Sequence, residues 1–141
     1  MKRKLLYLLI IFLAIAGMSL VSAVSLNGID FNAPDGFKET NVPNGMDNML
    51  HIKDSKAFTD EKTGNWIMIE SGDKLVDIPS GKITESKNMT INNKQGTYNT
   101  FSDTHDKKVC HFFDYEQNNK KVRVITFSDD DGLSLLKEII K

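Results

Sequence analysis

The chain has 141 residues, with 18 Lys+Arg against 19 Asp+Glu and a formal net charge of −1. Three of the basic residues, Lys2, Arg3 and Lys4, precede an uncharged stretch that runs to Ile29, so residues 24–141 hold 15 basic against 19 acidic side chains, a balance of −4. That balance excludes the basic face of an obvious nucleic-acid binder, the overall polarity excludes a polytopic membrane protein, and the length suits one small domain with one core.

The chain opens with Lys2-Arg3-Lys4, a continuous apolar run from Leu5 to Ala16, and the small-residue ending Val21-Ser22-Ala23. A basic start, an apolar centre and small residues at the end make a secretory signal, with the cut expected after Ala23. The rival reading is an uncleaved anchor over residues 5–26, which as a helix spans roughly 33 Å and matches a bilayer core of about 30 Å. The positive-inside rule keeps Lys2 to Lys4 in the cytoplasm. Both readings place the rest of the chain outside it. The expected organisation is therefore a signal peptide or signal anchor at 1–23, a short tether at 24–30, and a single extracytoplasmic domain at 31–141. Cys110 is the only cysteine, so no intramolecular disulfide is available and the domain must stand on its packing.

The next elements follow from alternation and turn chemistry. Residues 29–32 read as a strand, stopped by Pro34-Asp35-Gly36, and Phe37 begins a second extended piece. Residues 41–48 read as a loop, 49–52 and 57–59 as short strands, and 66–70 as a central strand. Residues 74–78 fit a short strand or a turn of helix. A four-strand meander then occupies 88–127, with turns at Asn92-Asn93 and at residues 117–120. Leu133, Leu136, Ile139 and Ile140 recur at helical spacing and give a closing helix with one apolar stripe. The expected fold class is α+β: an N-terminal signal or anchor helix, then a mostly antiparallel sheet covered on one face by the C-terminal helix.

Chemical motifs are sparse. Ser71-Gly72-Asp73-Lys74 and Lys62-Thr63-Gly64 match fragments of a serine β-lactamase pattern, but in the wrong order and in too small a domain. Asp129, Asp131, Gly132 and Glu138 fit the spacing Asp-x-Asp-Gly-x5-Glu of a calcium loop over 129–138. Phe127 stands at its opening position without a side-chain oxygen, and an acidic helix start accounts for Asp129 to Asp131 without a metal. Cys110 and His111 point to opposite faces of a strand, which argues against a shared metal, and His51 and His105 are remote or in a loop. Asn88-Met89-Thr90 is a glycosylation sequon. Trp66, Phe112, Phe113 and Tyr115 are candidates for an apolar contact surface, with core packing as the competing use. No catalytic, cofactor or metal residue is assigned.

The stretch Phe31-Asn32-Ala33-Pro34-Asp35-Gly36-Phe37, followed by a meander at 88–127 and a helix at 133–140, resembles the PsbP-like family of small exported proteins. Residues 41–65 depart from that pattern. The resemblance implies an accessory, binding or scaffold role at a membrane, generally without catalysis. The expected function is thus an exported or membrane-tethered binding domain for a protein or small ligand outside the cytoplasm, held to the membrane through residues 5–26 if uncleaved. The alternatives are a small extracytoplasmic hydrolase and a calcium-binding module using 129–138.

Overall fold

The computed structural model describes residues 22–41, 54–77, 83–102, 109–128 and 132–141. Nine strands occupy most of them: β1 (Ser22–Leu26), β2 (Ile29–Ala33), β3 (Phe37–Thr40), β4 (Ser55–Asp60), β5 (Trp66–Gly72), β6 (Ile83–Ile91), β7 (Lys94–Ser102), β8 (Val109–Gln117) and β9 (Lys120–Ser128). A single described helix, α1 (Gly132–Ile139), follows. Strands β3 to β9 form one antiparallel sheet in the order β3-β4-β5-β9-β8-β7-β6, so two meanders meet where β5 pairs with β9. The hairpin β1-β2 forms a second, two-stranded sheet.

Three hairpins turn through two residues each, at Asn27-Gly28, Asn92-Asn93 and Asn118-Asn119, and all six residues have positive φ. Such a turn matches the right-handed twist of its strands, and asparagine and glycine are the residues that accept left-handed backbone at least cost. These turns fix the register. With register fixed, parity decides which side chains share a face.

One face of the large sheet carries Ile67 and Ile69 from β5, Tyr98 from β7, Phe113 and Tyr115 from β8, and Val122 and Val124 from β9. Val24, Leu26, Ile29 and Phe31 of the hairpin and Leu136, Ile139 and Ile140 of the helix region pack against them to make the main core. Phe31 bridges to Ile140, which joins hairpin to helix end. The opposite face carries Met68, Cys110, Phe112, Ile125 and Phe127, with Trp66, Val76, Ile83 and Phe101 against them.

The structure corrects the expected fold class. The described chain is a mostly antiparallel β protein with one helix of eight residues, not an α+β domain with an N-terminal helix. Residues 22–26, the end of the expected anchor, form strand β1, and residues 24–30, expected as a tether, form most of the first hairpin. The reason is visible in the side chains. Val24 and Leu26 are buried while Ser22, Ala23, Ser25 and the turn Asn27-Gly28 are exposed, which is strand parity followed by a hairpin signal. An eight-residue helix is too short to cover a seven-stranded sheet, and the hairpin supplies the missing cover. Among the described residues no helix is long and apolar enough to cross a membrane. Residues 1–21, with the rest of the expected signal or anchor, lie outside the described residues, as do most of the loop at 41–48 and the strand at 49–52.

Candidate functional site

The second face of the sheet is apolar at one end and charged at the other. At the apolar end Trp66 stacks on Phe127 with ring centroids 3.7 Å apart, and Phe101 meets Phe112 and Phe127 edge-on. At the charged end the turn Asn118-Asn119 sets Asp114 of β8 opposite Arg123 of β9, and Arg123 is opposite Glu70 on its other side. Arg123 is therefore flanked by a carboxylate on each neighbouring strand.

The guanidinium grips Asp114 with two parallel bonds, Nε to Oδ1 at 2.7 Å and Nη2 to Oδ2 at 2.8 Å. It also lies over the Phe112 ring, 5.2 Å from the centroid. Its remaining arm donates from Nη1 to the carbonyl of Val76. The N–H of Val76 in turn donates to Glu70 Oε1 at 2.8 Å. Both backbone groups of one residue in the segment 73–77 are thus held by side chains of the sheet. Lys120 Nζ donates to Asp73 Oδ1 at 2.7 Å and pins the start of the same segment.

The electrostatics follow this geometry. Burial pushes the Arg123 guanidinium down, but the hydrogen bonds and charge of Asp114, with the charge of Glu70, outweigh it and leave it above its ordinary value. Lys120 beside Asp73 lowers that carboxyl below its ordinary value, and Lys120 is raised in return. Arg123 is the buried member of its pair, with 9% of its side chain exposed against 26% for Asp114.

Between the segment and the sheet opens a groove of about 450 Å³. Phe112, Asp114 and Arg123 lie along the sheet side with Thr97 and Asn99 of β7, while Lys74, Asp77 and Lys121 are charged groups around it. Asn99 is only 5% exposed. The groove offers carboxylate and amide acceptors, amide donors and two exposed ammonium groups beside an aromatic ring. That set suits recognition of a polar ligand by hydrogen bonds and charge.

The residues singled out from the sequence are scattered. Asp129 and Asp131 lie outside the described residues, and Glu138 is exposed on α1, where its carbonyl accepts from Asn32 Nδ2 at 3.2 Å. Among the described residues no three His, Cys, Asp or Glu side chains are grouped to hold a metal. Cys110 is buried on the second face, and His111 faces the other way, its Nδ1 2.7 Å from the Tyr98 hydroxyl. His51 and His105 lie outside the described residues. Asn88 is exposed on β6, and its Oδ1 accepts from Thr97 Oγ1 at 3.4 Å. Ser71 is fully buried on the main-core face while Lys74 is exposed beside the groove, so the Ser-x-x-Lys fragment is not assembled. Phe113 and Tyr115 belong to the main core, and Phe112 and Trp66 to the second face.

Arg123, Asp114, Glu70 and Asn99 carry the site and were not singled out from the sequence. One signal for them was present: a turn centred between Asn118 and Asn119 places residue 114 opposite residue 123, and these are an acid and a base. Neither the family models nor the curated proteins contain a match to this chain.

Proposed function

We propose that the chain is an exported or membrane-tethered domain that acts by binding outside the cytoplasm, with the groove over Arg123 as its contact site. The observation that carries this reading is the Arg123–Asp114 pair, held largely buried beside an open groove. Apolar side chains of the same volume would stabilise the fold as well or better, so the pair is better explained by what it presents than by stability. A ligand with hydroxyl or amine donors for Asp114 and Asn99, and an anionic or carbonyl group for Lys74 and Lys121, matches the groups present.

Export rests on Lys2 to Lys4, the apolar run and Val21-Ser22-Ala23. A cut after Ala23 falls within β1 and removes the exposed Ser22 and Ala23, but it leaves the buried Val24 and Leu26, paired with Phe31 and Ile29, on the domain. The PsbP-like resemblance rests on the sequence of residues 31–37 and the order of elements, and it supports an accessory rather than a catalytic role.

The test is the native and denatured mass of the protein taken from the medium and membrane fractions of its own host. The protein should be found in one of these fractions, with a native excess mass that denaturation removes. Thr97→Trp, which fills the groove from β7, should abolish that excess. Protein confined to the cytosol, or an excess mass that Thr97→Trp leaves unchanged, overturns the proposal.

A further inference from the structure

The two outer strands of the large sheet differ sharply. Strand β3 at one edge has four residues, whereas β6 at the other has nine. A long edge strand exposes a row of backbone donors and acceptors that another strand can pair with, and natural sheets keep such edges short or guarded. Ile91 and Lys94 flank the two-residue turn, so they form a hydrogen-bonded pair, and alternate residues follow suit. Met89, Lys87 and Glu85 therefore direct their backbone groups toward β7. Thr90, Asn88 and Ser86 direct theirs outward. Residues Glu85 to Asn88 are all exposed.

Glu85 and Lys87 share one face and form an ion pair at 2.9 Å, each about half exposed. An acid and a base two residues apart make this edge its own complement. Laid antiparallel with Ser86 opposite Ser86, a second copy brings its Lys87 to Glu85 and its Glu85 to Lys87. In that register the charged residues form non-hydrogen-bonded pairs, where side chains approach most closely. A shift by one step in either direction sets Lys87 against Lys87 or Glu85 against Glu85, and like charges directly opposite repel.

We infer that β6 is a self-pairing edge, through which two copies of this chain join their sheets in the Ser86-centred register. The occupant is a second copy because the strand carries both halves of the charge match and only one register satisfies it. The two copies are related by a two-fold axis at Ser86, so the interface is closed and the pairing stops at a dimer.

Sedimentation velocity of the purified full chain across a concentration series tests this, with circular dichroism as the check on folding. The wild type should reach twice the monomer mass. Glu85→Lys alone and Lys87→Glu alone should each remain monomeric, and an equimolar mixture of the two should recover the dimer. Ser86→Pro removes an outward N–H without touching a bond to β7, so it should fold and stay monomeric. The double exchange Glu85→Lys with Lys87→Glu keeps the match and should dimerise. A wild type that is monomeric at every concentration overturns the inference. So does a dimer that survives both single charge reversals and Ser86→Pro.

Discussion

Asp114 and Arg123 lock each other's orientation, and the worth of that lock differs from the cost of breaking it. Removing one partner strands a charge that is largely out of water, and removing both leaves the buried carboxylate of Glu70 without its cation, so only loss of all three charges strands none. Asp114→Ala should therefore destabilise the fold by about 3 kcal/mol, with Glu70 supplying some compensation to Arg123. The triple variant Glu70→Gln, Asp114→Leu and Arg123→Met, which leaves no buried charge, should be markedly more stable than Asp114→Ala, as read from urea unfolding midpoints. Gly96 sets a different kind of limit. A Cβ there would run into the backbone carbonyl of Asp114, with the Phe113 ring close behind at 2.8 Å. Backbone cannot swing aside as a long side chain can. Gly96→Ala should cost about 3 kcal/mol or more, seen as a fall in melting temperature with loss of protection at the β7–β8 amides in hydrogen exchange.

The hairpin turn at Asn92 and the end of α1 depend on one another. Asn92 accepts the left-handed backbone of its turn, and its Nδ2 donates to the carbonyls of Lys137 at 2.8 Å and Ile140 at 2.7 Å. The last carbonyls of a helix have no partners within it and carry partial negative charge. Asn92→Asp removes both bonds and sets a carboxylate against that charge. It should cost about 2 kcal/mol, with the loss of helical signal preceding the loss of sheet signal on heating. Most elements of this kind were legible beforehand. Strands β8 and β9 are rich in β-branched and aromatic residues and are joined by a polar turn, Asn92-Asn93 announces a tight turn, and the apolar spacing of 133–140 announces the helix. Strand β1 is hidden in the sequence because Val24 and Leu26 fall within the uncharged stretch that begins at Leu5, and nothing charged marks where the domain begins. The first half of β6 was missed because an exposed edge strand has no apolar alternation to show. The groove was largely illegible because its lining comes from four strands and the segment 74–77, which sequence spacing does not bring together. Only the Asp114–Arg123 pairing followed from a turn that was already recognised.

At the scale of the whole molecule, two titration limits bound the stable range. Asp60, lowered by the N–H of Lys62 and the hydroxyl of Thr63, and Asp73, lowered by Lys120, both titrate below their ordinary 3.8. Their contribution is present above that value and is lost as pH falls through the folded-state value, and both are exposed enough for salt to weaken it. Burial raises the Tyr115 phenol above its ordinary 10.0, and Asp73 raises Lys120 above 10.5. Groups raised on folding stabilise below the unfolded value and cease to do so as pH rises past it. The melting temperature should therefore be nearly level between about pH 5 and 9, fall gently in acid, and fall steeply above about pH 10. Tyr115→Phe should flatten the alkaline fall and leave the acid side unchanged.

Two meanders meeting at β5 and β9 give one sheet with two unlike faces, one sealed by hairpin and helix and the other bearing the groove. The claim that this groove binds is tested most directly by amide chemical-shift mapping of the labelled chain against the small-molecule filtrate of its host's medium. Saturable shifts should be confined to residues 74–77, 97–99, 112–114 and 121–123 and should be abolished in Thr97→Trp. Saturable shifts clustered on the hairpin or on α1 instead, with those groove residues unmoved, would contradict that claim.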